Sequence, residues 1–173
     1  ACERIEIAGS LRRQRPDPAD IELLCIPKGT FFQNADMFGN PWGPAHDALS
    51  WRVGELIDQG VLTWRVNVKG SKTFGLLNKY MVHGGSGIPI DIFTATVQNW
   101  GAALVTRTGS ADFNIAYMSR LRSLSMKGYI YGILSKYGTQ LDCSTEELVF
   151  QHLGVPMIPP SKRDGNALKE ATP

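Results

Sequence analysis

Hydrophobic and polar positions alternate through the first part of the chain and recur at helical spacing in the last, so the period itself divides the sequence. Arg4-Ile5-Glu6-Ile7-Ala8 alternates and predicts a short strand. Residues 19–26, rich in Ile and Leu, predict a second. Side chains two apart on a strand share a face, which puts Asp20 and Glu22 together and turns Ile21 and Leu23 the other way. Residues 27–44, punctuated by Pro27, Gly29, Gly39, Pro41, Gly43 and Pro44, read as a long loop with Phe31, Phe32, Phe38 and Trp42 interleaved. Leu49, Val53, Leu56 and Ile57 have helical spacing and predict a packing helix over 45–58, stopped by Gly60. Residues 61–68 alternate cleanly as a half-buried strand, Lys69-Gly70-Ser71-Lys72 is a turn, and 73–82 reads as another strand. His83-Gly84-Gly85-Ser86-Gly87 has no helix start or Lys-Ser/Thr pair behind it, so it reads as a hairpin loop and not as a phosphate cradle. A strand over 88–93 follows, apolar except for Asp91 in its middle.

Beyond that strand the period changes. Helices are predicted over 97–105, 113–126 and 145–153, the last with Ser144 as N-cap and Glu147 three residues on. Short strands over 129–131 and 134–137 flank Gly132. A β-rich half carrying acids and a smaller α-rich half predict an α+β fold with a cleft suited to a nucleotide, and Thr108-Gly109-Ser110 with Phe113-Asn114 at a helix start facing it.

Composition narrows the class. The chain has 173 residues, 43% of them hydrophobic, enough for one domain or two small lobes. A formal net charge of +2 permits nucleic-acid contact without demanding it. Cys2, Cys25 and Cys143 are scattered singles, which indicate neither a zinc site nor a disulfide framework, and reduced thiols fit a cytoplasmic setting. No stretch approaches the ~18 apolar residues of a membrane span, and the start does not read as a signal peptide. A soluble, unsecreted protein of a bacterial or viral cytoplasm, or of a nucleus, is expected. The opening Ala1-Cys2-Glu3 has no initiating Met, which fits processing, trimming or a longer parent chain.

The candidate chemistry lies in three stretches. Gly9-Ser10-Leu11-Arg12-Arg13 lets backbone approach an anion closely and offers a hydroxyl and two guanidinium forks to a triphosphate. Asp20 and Glu22 on one strand face repel each other, and a cation relieves the repulsion. Each has a plainer reading: Gly-Ser is a common turn, and paired acids often sit on a solvated edge. Asp91, alone on an apolar strand, needs a partner if it is buried, and its plainer reading is that it faces water or pairs with a nearby Lys or Arg. If its strand lies beside that of Asp20 and Glu22, three carboxylates converge in the arrangement that two-cation nucleotidyl transfer uses. Arg120, Arg122, Lys127 and Lys136 follow Asn114 with no acid among them, forming either a phosphate-contacting surface or an ordinary solvated face.

The order of these motifs resembles the palm and thumb of the family X DNA polymerases. The matching pieces are Gly9-Ser10-Leu11-Arg12-Arg13, Asp20-Ile21-Glu22, Ile90-Asp91-Ile92-Phe93, Thr108-Gly109-Ser110-Ala111-Asp112-Phe113-Asn114, and Glu146-Glu147-Leu148-Val149-Phe150 with Leu153-Gly154, Pro159 and Arg163. The resemblance implies a nucleotidyltransferase palm over 1–97, built on a mixed β-sheet flanked by helices, a small α/β thumb over 98–165, and a tail over 166–173. Asp20, Glu22 and Asp91 would bind two Mg²⁺ ions, for which Mn²⁺ can substitute. Ser10 and Arg13 would hold the β and γ phosphates, with Gly9 and Arg12 in the same nucleotide-binding set. Gly109, Ser110 and Asn114 would line sugar and base, and Arg120, Arg122 and Lys127 would contact DNA. The implied reaction is attack of a primer 3′ hydroxyl on the α phosphate of a nucleoside triphosphate, on nicked or gapped duplex, by a monomer without membrane contact.

Several residues depart from that pattern. Glu22 stands where the family has Asp, Pro89 where it often has Arg, and Thr106-Arg107 where polymerase beta has two aromatics. No lyase domain precedes Arg4, so no 5′-deoxyribose phosphate lyase activity is implied for this chain. Gap-filling DNA polymerase is the expectation. The alternatives are a template-independent relative, a nucleotidyltransferase of the same superfamily acting on RNA, protein or a small molecule, and a scaffold that has lost efficient metal binding through Glu22.

Overall fold

A computed structural model describes residues 1–35, 41–129 and 132–172, with the side chains of 30–46 left aside. The chain divides into two compact units, Ala1–Glu6 with Ala19–Thr94, and Ile7–Pro18 with Ala95–Pro173. The fold is α+β, as the change of period predicts.

Strand β1 (Cys2–Ile7) leads into a single-turn helix α1 (Gly9–Arg12) of the second unit, and the chain then returns to the first for β2 (Ile21–Pro27). The first unit adds β3 (Thr30–Ala35), β4 (Pro41–Asp47), α2 (Ala48–Asp58), β5 (Leu62–Trp64), β6 (Asn78–His83) and β7 (Pro89–Thr94). Its main sheet is five-stranded and mixed, in the order β1-β2-β7-β6-β5. β2 and β7 run parallel, while β7–β6 and β6–β5 are antiparallel. Cys25, Leu49, Val53, Leu62, Met81 and Ile92 form its core, with Leu23, Leu56, Ile57 and Ile90 packed against it. Leu23 and Cys25 on β2, and Ile90 and Ile92 on β7, thus turn toward α2, and strand alternation sends Glu22 and Asp91 to the opposite face.

Asp47 caps α2 by accepting from the Ser50 backbone N–H, and Gly60, at φ +73°, ends it by donating to the Ile57 carbonyl. Asp47 also stands 3.9 Å from the ammonium of Lys79, a side chain with no exposure that donates to the Gly75 carbonyl at 2.8 Å. Burial lowers the Lys79 pKa, and Asp47 opposes part of that shift. All three cysteines are free. Burial, with Cys2 beside it, pushes the Cys25 thiol up to about 12, which keeps it protonated.

Three sequence expectations change here. The predicted loop 27–44 instead contains an antiparallel ribbon of β3 and β4. Prolines disqualify a central strand, but each strand of a two-stranded ribbon keeps an open edge on which a missing N–H is tolerated. The aromatic side chains Phe31, Phe32, Phe38 and Trp42 lie outside the described ones. The strand over 61–68 shortens to β5 plus a Val66–Lys72 bridge, because Val66 and Val68 alternate correctly yet stand in solvent. The strand expected over 73–82 likewise shortens to β6, whose hairpin through His83–Gly87 to β7 is as read.

In the second unit a 3-10 turn (Val97–Asn99) opens α3 (Trp100–Thr108), followed by α4 (Ala111–Ser123), β8 (Lys127–Tyr129), β9 (Gly132–Leu134), α5 (Glu146–His152) and α6 (Ala167–Glu170). Phe113, Tyr117 and Leu121 of α4 meet Ile133, Val149, Phe150 and Leu153 in its core, and Ala167 and Leu168, from the residues read as a tail, join them. A Cβ on Gly101 would sit 2.1 Å from the Thr145 carbonyl carbon and oxygen, so α3 approaches the start of α5 through a bare backbone. The cap of α5 is Thr145, whose hydroxyl accepts from the Leu148 N–H, one residue later than expected. Ser144 instead donates its N–H to Asp142. The shift makes Glu146, not Glu147, the inward-facing acid.

Candidate functional site

In the first unit, Glu22 and Asp91 are Cα partners on adjacent parallel strands. Neighbours in register project on the same face of a sheet, so two acids from sequence-distant segments stand side by side. Asp20 lies one residue before β2 begins, so the period-two argument that grouped it with Glu22 holds for the sequence pattern but not for the observed strand. Among the described residues, no three His, Cys, Asp or Glu side chains are grouped closely enough to hold one metal ion.

The Asp91 side chain turns toward a cation: Arg65 Nη2 stands 2.6 Å from its Oδ1. Pro89, two residues back along β7, offers no charge, so the cation reaches Asp91 from another segment. The contact is close without being an aligned hydrogen bond, since Oδ1 is buried and no donor among the described residues points at it. The donor chemistry fits a divalent cation such as Mg²⁺. Carboxylate oxygens are hard ligands, two of them come from paired register positions, and one buried oxygen keeps undirected lone pairs.

The second unit gathers Gly9–Arg13 and 108–114. Gly9, at φ +59°, starts α1 directly after Ala8, an arrangement that glycine adopts without a steric penalty. The Ser10 hydroxyl is buried and has no hydrogen-bond partner among the described residues. Arg13 Nη1 donates to the Thr108 carbonyl. Gly109, at φ +63°, comes so near that a Cβ there would sit 3.3 Å from Arg13 Nη1. The Gly109–Ser110 peptide is cis. Ser110 then caps α4, accepting from the Phe113 N–H at 3.3 Å. Asn114 donates to the Thr106 carbonyl at 2.8 Å, while its Oδ1 is buried without a partner. The motifs Gly9–Arg13 and Gly109–Asn114, about a hundred residues apart in sequence, therefore meet within one unit, and both leave a polar oxygen unsatisfied there.

Arg12 behaves differently from its neighbours. It donates through Nη1 and Nη2 to both oxygens of Glu146, at 2.9 and 2.7 Å, and to the Thr108 hydroxyl at 2.9 Å. Arg163, only 1% exposed, adds a third bond to Glu146 at 2.7 Å and lies over the rings of Phe113 and Phe150. Burial alone would raise the Glu146 carboxyl, but hydrogen bonds and charge from Arg12 and Arg163 outweigh it and hold the group below the usual glutamate value. Glu146 and Arg163 are among the positions that match the family pattern, but their residue types alone imply no role for either. The signal that could have found them is the acid directly behind a capping Thr, at the first inward position of α5.

Arg120 and Arg122 are two apart on α4 and so face different ways. Arg120 is half-buried and donates to the Leu153 carbonyl at 3.0 Å, whereas Arg122 and Lys127 are exposed. Among the described residues no helix is long and apolar enough to cross a membrane.

Residues 103–164 match the family model of the DNA polymerase beta thumb, so the second unit carries a family X polymerase-like element. That segment runs from within α3 to just past Arg163 and takes in Ser110, Asn114 and Glu146. None of the curated proteins compared with the chain matches it.

Proposed function

We propose that the chain is a DNA-directed DNA polymerase of the family X type, extending a primer 3′ hydroxyl in short gaps. The observation that carries this reading is the thumb match over 103–164. The pairing of Glu22 with Asp91 and the meeting of Gly9–Arg13 with Gly109–Asn114 support it.

In this reading Asp20, Glu22 and Asp91 hold two divalent cations, with Asp91 nearest the primer terminus. Bound there, the ions lower the pKa of the attacking hydroxyl and neutralise charge gathering on the triphosphate. Ser10 and Arg13 bind the β and γ phosphates, the hydroxyl through the oxygen left unpartnered and the arginine as a charged donor. Arg12, committed to Glu146 and Thr108, orients Gly9–Arg13 without touching phosphate. Gly109 admits the sugar where a side chain would crowd Arg13, and Asn114 and Ser110 orient it. Arg122 and Lys127, the exposed members of the basic stretch, meet the DNA backbone, and Arg120 supports them from within the fold.

The test is primer extension on one-nucleotide-gapped duplex with Mg²⁺ and each of the four deoxynucleotides. Templated single addition is expected. Transfer only to an RNA, protein or small-molecule acceptor would move the chain to another nucleotidyltransferase class, and transfer to no acceptor would overturn the enzymatic reading.

A further inference from the structure

Asp91 meets its cation in an unusual way, and the surroundings explain why. Arg65 is held from two sides by one residue: its backbone N–H donates to the Tyr80 carbonyl at 3.4 Å, and its guanidinium lies 4.8 Å from the centre of the Tyr80 ring. Tyr80 is itself the residue opposite Asp91 across the β6–β7 ladder. Three positions are thereby locked together, with the guanidinium parked on an aromatic face beside the carboxylate. Yet the pair is not a fork. The closest approach, Nη2 to Oδ1 at 2.6 Å, is not an aligned hydrogen bond, and Arg65 stays 31% exposed against 13% for Asp91. A bidentate pair would gain directional bonding as well as charge, and this one gains chiefly charge.

We propose that Arg65 is a positioning residue that competes with a divalent cation for Asp91 Oδ1 and so sets how tightly the acids of β2 and β7 take up that cation. The inference rests on the reading of Asp91 as a cation ligand. An arriving dication meets the positive potential of the guanidinium and must turn it aside before the oxygen can bind. Stacking on Tyr80 gives the displaced group a place to remain, so uptake is an exchange of one cation for another. An ordinary structural salt bridge would stabilise the fold and leave cation affinity where it was.

The experiment is titration of the full chain with Mn²⁺ alone, reading free ion by electron paramagnetic resonance. Arg65→Gln is expected to bind Mn²⁺ about tenfold more tightly than the parent, the range over which residues adjoining ligands tune metal affinity. In an Asp91→Asn background the same substitution should change affinity far less, because the carboxylate charge for which the two cations compete has gone. Unchanged or weaker binding in Arg65→Gln, with Asp91→Asn still weakening it, overturns the role of Arg65 and leaves the polymerase reading standing. Parent-like Mn²⁺ binding in Asp91→Asn overturns the ligand role of Asp91 itself, and the inference with it. Should Arg65→Gln fail to fold, Arg65→Met serves: it also discards the charge while keeping an unbranched stem against Tyr80, the same tightening is expected, and unchanged affinity there is equally fatal.

Discussion

Glu146 in the second unit and Asp91 in the first are both carboxylates set against arginine, but their surroundings differ in every respect that matters for reactivity. Glu146 is saturated: Arg12 takes both oxygens, Arg163 takes one again, and all three groups are largely removed from water. Asp91 keeps a buried oxygen with no aligned donor, and its arginine is partly exposed. A saturated carboxylate can hold a fold together and has nothing left to give a ligand. One that is close to a cation but incompletely bonded can exchange it. The contrast sets a saturated structural carboxylate against one that, in the proposed reading, gives up its arginine to another cation.

The sharpest way to break this comparison is Asp91→Asn. The amide keeps the shape and discards the charge, so nucleotide transfer should fall by more than about a hundredfold, while the circular dichroism spectrum and melting temperature stay near those of the parent. Full activity in that variant would remove the functional half of the contrast.

Next in size is Glu146→Gln, which leaves Arg163 buried with its charge uncompensated and should destabilise the fold by on the order of 3 kcal/mol, read from denaturant midpoints. The same group predicts a pH dependence. Its folded pKa lies below the ordinary 4.5, so the unfolded chain takes up the proton first. The stabilisation is therefore complete above that value and is lost as the pH falls below it toward the folded one. Denaturation of parent and Glu146→Gln between about pH 6 and about pH 3 should converge as Glu146 protonates; parallel curves would mean that the acid carries no such linkage.

Gly101→Ala sharpens the structural side further. Its methyl would collide with the Thr145 backbone, and separating α3 from α5 should cost about 1–3 kcal/mol.

The smallest stability effect belongs to Ser10→Ala. The hydroxyl has no partner to lose, so the fold should change by less than about 0.5 kcal/mol, while affinity for a nucleoside triphosphate, measured by calorimetry, should drop several-fold. A stability loss as large as that of Gly101→Ala would show that Ser10 is a packing residue.

What could be read in advance follows the physics of each stretch. The hydrophobic pattern of β2 and β7 was legible because each strand is flanked by packed neighbours, so the apolar runs Leu24-Cys25-Ile26 and Ile92-Phe93 are buried in succession. Their adjacency was a conditional expectation, since parallel pairing depends on tertiary order that no local period encodes. Residues 61–68 misled for the opposite reason. Their alternation is real, but Val66 and Val68 find no core, and the ladder stops at Trp64. The ribbon of β3 and β4 hid behind prolines that only an open edge tolerates. Within the candidate site, Gly9–Arg13 and Gly109–Asn114 were visible as separate motifs whose meeting through Arg13 and Thr108 needs the fold. Neither Arg65 nor Glu146 announced itself, because an arginine on a frayed strand and a glutamate at a helix start are ordinary residues until their partners are known.

The detour of the chain through Ile7–Pro18 has a practical consequence for dissection. The backbone passes between the units three times, once on each side of that detour and once after Thr94. A fragment beginning at Ala95 would therefore contain the whole thumb-matching segment yet lack Arg12, leaving Glu146 to face Arg163 alone. Any attempt to express that segment by itself removes one arm of its own internal clasp, and restoring it requires residues 7–18 as well.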